Sequence, residues 1–341
     1  HSPNACMHGS VANQQRMKRK EFFKTYKCIT YVNPSILEMH ASMDVTNNGL
    51  DVSTGNRLIN MYHNCASMDH AQDVFNSMQE HDKFTWTEMI AGYTNSGQSK
   101  TAIWVFHQMQ HESLCPNVVT FVCILKACGS IGVSPYKGES IHARVAVYDW
   151  PKKNVIIGNA LLGMYAKWGM LMKARQLHDE LSERSIVSWN ALISGYAEQD
   201  QCHESLKCLW QMEKEGFYPD AITFVCILKV CGKIRAIDKG EQIHDEIMSR
   251  GLLTENIMLG TALVDMYAKC GALKKAQGVF DELPVRDVVA WNGLLSGYAQ
   301  LGEHDIVFNA FDEMIRKGVV PTSVTFTVLL NACTHSGLLE K

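Results

Sequence analysis

The dozen residues GNALLGMYAKWG that begin at Gly158 return as GTALVDMYAKCG at Gly260, 102 residues later. A more divergent copy, GNRLINMYHNCA, stands at Gly55, 103 residues before Gly158. A chain that writes one segment three times at a steady interval builds the same local structure three times. Each copy must then bury its apolar face on the next.

The interval divides into three kinds of unit. The first is 31 residues long and occupies 52–82, 155–185 and 257–287. The second is 35 residues long, occupies 83–117, 186–220 and 288–322, and carries TWTEMIAGY, SWNALISGY and AWNGLLSGY. The third opens with TFVCILKAC, TFVCILKVC and TFTVLLNAC and occupies 118–154, 221–256 and 323–341, the last copy being truncated. Cys128 to His142 spans 14 residues where Cys231 to His244 spans 13, so one inserted residue near Ser134 and Pro135 accounts for 103 against 102. Within 186–220, Trp189, Leu192, Ile193 and Tyr196 fall at i, i+3, i+4 and i+7, one apolar helical stripe. Trp291, Leu294, Leu295 and Tyr298 repeat it, as do Trp86, Met89, Ile90 and Tyr93. A second stripe through Leu206, Leu209 and Met212 follows a polar turn; Gly216 suits its left-handed end and Pro219 forbids its continuation. Each unit therefore reads as a helical hairpin, and hairpins of 31–37 residues in series predict an all-α fold, an α-solenoid.

The repeat also disposes of competing chemistry. Cys123 and Cys226 lie 103 apart, and Cys128, Cys231 and Cys333 follow at 103 and 102. Cys65 and Cys270 share a place that Trp168 takes in the third copy, which marks it as a packing position. No C-x-x-C occurs, and no metal is predicted. HDE at His178 and His244 has the form of a deaminase H-x-E but lies in second helices with no C-x-x-C after it. Neither a G-x-x-x-x-G-K-[ST] loop nor G-x-G-x-x-G is present, so no catalytic residue is assigned. The longest apolar run, NVVTFVCILKAC, breaks at Lys126, and no membrane partner is expected. Arg16, Lys18, Arg19, Lys20, Lys24 and Lys27 crowd the start, where Glu21 is the one acid before residue 28. The rest is net acidic, with no global field to attract a polyanion. The opening His1 and the truncated last unit read as those of a fragment.

With Gly195 and Gly297 directly before the tyrosine, Pro219 and Pro321 second-last, and unit lengths that alternate, the chain departs from tetratricopeptide units. It resembles the pentatricopeptide repeat family, in the plant type in which P, L and S repeats alternate. Units 52–82, 155–185 and 257–287 resemble S repeats; 83–117, 186–220 and 288–322 resemble P repeats; 118–154, 221–256 and the truncated 323–341 resemble L repeats. Residues 20–51 resemble a degenerate L repeat, Met39 starting an MHA where later copies have IHA and IHD, and residues 1–19 form a basic tail.

The resemblance implies a right-handed superhelix and no cofactor. It also implies single-stranded organellar RNA as partner, one base per repeat, in a mitochondrion or chloroplast. Its P-L-S alternation is similar to that of specificity factors in C-to-U editing, which act with editing partner proteins. The fifth and last residues of a unit would read the base. Asn56 with Asp82 implies U, Thr87 with Asn117 implies A, Asn159 with Ser185 implies C, Asn190 with Asp220 implies U and Thr261 with Asp287 implies G. Asn292 with Thr322 departs from the common pairs and implies a pyrimidine. Val122 and Val225 stand at the fifth place of the L units, which should read poorly, so the implied target is 5′-UAnCUnGY-3′. Val187 and Val289 resemble the family's base-sandwiching residues. Two competing expectations accompany this one. Asn and Thr also cap helix starts, a structural use for the same fifth residues. A solenoid groove can instead hold a peptide as a scaffold, although that would call for Lys or Arg where Asn and Thr stand.

Overall fold

The computed structural model describes residues 50–131, 141–143, 145 and 154–336. The basic tail, nearly all of the degenerate unit over 20–51, Cys6, Cys28 and the insertion near Ser134 and Pro135 lie outside the described residues. The described residues fold into α-helices joined by short turns and form two compact bodies, which divide between Met164 and Tyr165.

The first body holds α1 (Val52–Asn64), α2 (Met68–Ser77), α3 (Lys83–Asn95), α4 (Ser99–His111), α5 (Val118–Ile131) and the start of α6 (Val155–Lys167). There α1 pairs with α2 and α3 with α4, while α1, α3 and α5 pack in succession. The second body continues with α7 (Leu171–Glu180), α8 (Ile186–Glu198), α9 (Cys202–Lys214), α10 (Ala221–Ile234), α11 (Ile237–Ser249) and α12 (Leu252–Glu255). It ends with α13 (Ile257–Lys269), α14 (Leu273–Glu282), α15 (Val288–Gln300), α16 (His304–Arg316) and α17 (Ser323–Ser336). Hairpins α8–α9, α10–α11, α13–α14 and α15–α16 stack through their first helices, and each second helix also packs on the first helix that follows it. Trp189, Leu192, Ile193 and Tyr196 are all buried, because the 3.6-residue period turns them together onto one packed face. Neighbouring units also meet edge to face: Phe75 lies 4.9 Å from Trp86, and Phe280 lies 4.7 Å from Trp291, between ring centroids.

Capping sets the registers. Asp51, Asp82, Asn117, Asn154, Ser185, Asp220, Asn256 and Asp287 each stand immediately before a first helix and accept hydrogen bonds from its opening N–H groups. The second helices α2, α4, α7, α9, α11, α14 and α16 have no side-chain cap. Their entry is fixed by a tight turn with one left-handed residue, as at Gly169 and Asp200. Gly216 is likewise left-handed, with φ +84°, just past α9.

Gly195 sets how closely first helices approach. A Cβ there would stand 2.8 Å from the Ala166 Cβ and 3.3 Å from its backbone Cα, neither of which can swing aside. Gly297 meets Ala268 in the same way. Gly195→Ala is expected to cost roughly 1–3 kcal/mol by overpacking. Chemical denaturation checks this, and an unchanged midpoint would show that the helices can part without loss.

The repeated cysteines are packing residues in this arrangement. Cys128, Cys202, Cys208 and Cys231 are buried, and burial pushes the Cys208 and Cys231 thiols up to about 11. A thiol that stays protonated at neutral pH is a poor metal ligand. No group of three His, Cys, Asp or Glu side chains among the described residues is placed to hold a metal.

Candidate nucleic-acid interface

The fifth residue of each unit lies in the second turn of its first helix, past the reach of a cap. Helix α1 starts at Val52, so Asn56 is inside it and Asp51 does the capping. The competing structural use of Asn and Thr therefore falls on the other half of five of the six pairs: Asp82, Asn117, Ser185, Asp220 and Asp287 are N-caps.

The structure brings most pairs together. Asn190 Nδ2 donates to Asp220 Oδ1 at 3.0 Å, Asn56 Nδ2 to Asp82 Oδ1 at 3.3 Å and Asn292 Nδ2 to Thr322 Oγ1 at 3.3 Å. Thr87 is joined to Asn117 through Thr120, whose hydroxyl lies 2.9 Å from Thr87 Oγ1 and donates to Asn117 Oδ1 at 3.0 Å. Thr261, like Thr87, donates to the carbonyl four residues back, that of Ile257 at 3.1 Å, but Ala290 stands where Thr120 links the other pair, and Asp287 receives the Ala290 N–H. Asn159 belongs to the first body and Ser185 to the second.

In Asp82 and Asp220 every side-chain hydrogen bond among the described residues ends on Oδ1, which leaves Oδ2 as an accepting edge. Burial opposes ionisation of Asp82, but the bonds from Thr85, Asn56 and Phe84 together hold its carboxyl below the usual range. The carboxylate is therefore an acceptor at neutral pH.

Three residues before every fifth residue but Asn56, on the same helical face, stands an exposed apolar side chain. Val187 and Val289 have this place, as do Phe84, Val119, Ile156, Ile222, Met258 and Val324, and all eight are 55–66% exposed. Sequence reasoning singled out only the two valines; the second place of every unit was the signal for the other six, with Ser53 as the exception. Val225 is buried and Val122 half-buried, so those two L units offer no polar atom at the fifth place, whereas the truncated third has exposed Thr327 there. Sequence reasoning also missed Lys126 and Lys229, which are exposed one further turn along the same stripe as Val119 and Val122, and Ile222 and Val225. Their i, i+3, i+7 spacing would have found them.

A flat heterocycle set against the apolar residue would present its edge to the polar pair, so units such as 186–220 and 288–322 offer both a face contact and an edge contact. Comparison with known proteins identifies the repeat. The PPR repeat family matches residues 81–130, 184–233 and 286–335, and the PPR repeat matches 159–186 and 261–288, together more than half of the chain. Among curated relatives, the Arabidopsis thaliana pentatricopeptide repeat-containing protein At1g11290, chloroplastic, is 33% identical over 85% of this chain and 35% of its own length. At2g03380, mitochondrial, from the same plant is 32% identical over 83% of this chain and 41% of its own. The chain thus spans well under half of these relatives. The fold is similar to that in the crystal structure of the pentatricopeptide repeat protein PPR10 in complex with an 18-nt psaJ RNA element, with a TM-score of 0.71 and 18% identity. That match covers 87% of this chain and 44% of the other.

Proposed function

The chain belongs to the pentatricopeptide repeat family, and from that premise we propose that its hairpins bind single-stranded RNA, one base to a unit. The observation that carries this reading is the repeated placement of an exposed apolar side chain and a hydrogen-bonded polar pair on one helical face, as in Val187, Asn190 and Asp220. Bases stack on apolar faces and are told apart at their edges, and this arrangement supplies both contacts. A peptide scaffold finds less support, since no fifth residue carries a cation to hold a carboxylate.

The pairs give 5′-UAnCUnGY-3′ as the preferred octamer. In the units with Val122 and Val225, exposed Lys126 and Lys229 suit the phosphate chain instead of a base. That places local cations on the binding face of a chain whose net charge is −3. The unit order supports a role as specificity factor in C-to-U editing, the deamination being supplied by another segment or a partner protein. The relatives' names support a chloroplast or a mitochondrion as the compartment.

Titration of labelled RNA octamers at fixed salt tests the reading, because screening alters every affinity. The proposed sequence is expected to bind at least about tenfold more tightly than a scrambled one, since each good edge contact contributes roughly 1–3 kcal/mol. Equal affinities would sink it.

A further inference from the structure

We infer that the hydroxyl on the third residue of a first helix is a positioning residue for base choice: Thr223 and Thr325 lock the carboxamides of Asn190 and Asn292 in one orientation, so that each tells uracil from cytosine. The inference rests on the RNA-binding reading above and concerns residues outside the fifth and last places.

Thr223 is the third residue of α10 and is fully buried. Its Oγ1 accepts the Asp220 N–H at 3.1 Å, so its one proton points elsewhere: Asn190 Oδ1 lies at 2.6 Å and Asp220 Oδ1 at 3.0 Å. The shorter contact takes most of that proton. The Asp220 carboxylate can only accept, so the nitrogen of the Asn190 carboxamide must face it, and the oxygen must face Thr223. Both ends of the amide are held, and one N–H and one lone pair stay free in a fixed order. Uracil presents N3–H beside the O4 acceptor, whereas cytosine presents an N3 acceptor beside an amino donor. The two edges are mirror patterns. An amide that can turn over serves both, and one that cannot serves one better.

The other units vary the arrangement. Thr325 Oγ1 donates to Asn292 Oδ1 at 2.7 Å while Asn292 Nδ2 faces Thr322, the same orientation as Asn190. Thr85 gives its proton to Asp82 Oδ1 at 2.9 Å, and Asn56 Oδ1 is buried with no hydrogen-bond partner among the described residues. The Asn56 amide is held at its nitrogen end only. Ser188 turns to the Ser185 carbonyl at 2.8 Å, and Ala290 has no hydroxyl. Asn292 should therefore choose the same pyrimidine as Asn190, and Asn56 should discriminate less sharply than either.

The test titrates the full chain with single-stranded octamers of the proposed sequence carrying U, C or A at the fifth base. Wild type, Thr223→Val and Thr223→Ser are compared, with circular dichroism confirming that each is folded. The U-over-C ratio is expected to fall from about tenfold towards equality in Thr223→Val and to return in Thr223→Ser. The U-over-A ratio should change by less than about threefold, a pattern that general loosening of the repeat would not give. A full U-over-C ratio in Thr223→Val overturns the inference and leaves the RNA reading standing. Octamers varied at the first and eighth bases repeat the test without mutation: discrimination at the first base equal to that at the fifth, or opposite pyrimidines at the fifth and eighth, also overturns it. A wild-type chain that binds no octamer overturns the RNA reading and this inference together.

Discussion

Asn190→Thr combined with Asp220→Asn is expected to move the preference at the fifth base from U to A, a change of about tenfold or more in the ratio of the two affinities, while the other positions keep theirs. The expectation has an internal precedent. Thr87 and Asn117 already form that pair one P unit earlier, linked through Thr120 as Asn190 and Asp220 are linked through Thr223. Asn117 also caps α5 through the Thr120 N–H at 2.9 Å, so Asn at position 220 can cap α10. The helix start survives and the edge chemistry changes. Titration with octamers that differ only at the fifth base reads the switch. Uniform weakening for all four bases would mean that the two residues hold the repeat together and do not address the base.

The second large effect concerns stability and pH. His178 stands where Phe75 and Phe280 stand in the sister units, and keeps their edge-to-face contact with a tryptophan, 4.2 Å from Trp189 between ring centroids. It is fully buried, and neither ring nitrogen has a hydrogen-bond partner among the described residues. Burial, reinforced by the Arg184 and Arg175 guanidinium groups and only partly offset by Asp179, lowers its pKa to about 4. Above the ordinary value of 6.5 the ring is neutral both folded and unfolded, and pH has no hold on it. As pH falls below 6.5 the unfolded chain takes up a proton that the folded chain refuses, so stability declines until about pH 4. By pH 5 the loss should be about 2 kcal/mol. His178→Phe restores the sister arrangement and removes the titrating group. Chemical denaturation at pH 7 and pH 5 should show the wild type losing that much more than the variant. Equal losses would place the acid sensitivity elsewhere.

What the sequence made legible follows from what periodicity records. The stripe of Trp189, Leu192, Ile193 and Tyr196 is written at helical spacing, and the structure buries all four. Gly216 and its left-handed backbone were legible because few other residues relax there. The caps were harder. Asn and Thr carry the same hydrogen-bonding groups at a fifth place as at a cap, and only the exact helix start separates the uses. That start lies at Val52, Lys83 and Ile186, which assigns the capping to Asp51, Asp82 and Ser185. The part played by Thr223 was not legible at all. It belongs to the next unit's core by burial and to the preceding unit's Asn190 by a hydrogen bond across 33 residues, a relation that no local pattern encodes.

The caps have a consequence for how such a chain can change over generations. The side chains that stop one unit and start the next are Asp, Asn, Ser and Thr, the four that terminate a helix N-terminus well, within a few tenths of a kcal/mol of one another for the first three and only modestly worse for the last. Exchanges among them are close to neutral for folding, yet each alters the donors and acceptors beside the fifth residue. On the proposed base-reading, a population of such chains can therefore drift from one target to another through intermediates that all fold, one substitution at a time. An exchange to Ala or Val at the same place would cost the cap and be removed by selection before any new target could be tried.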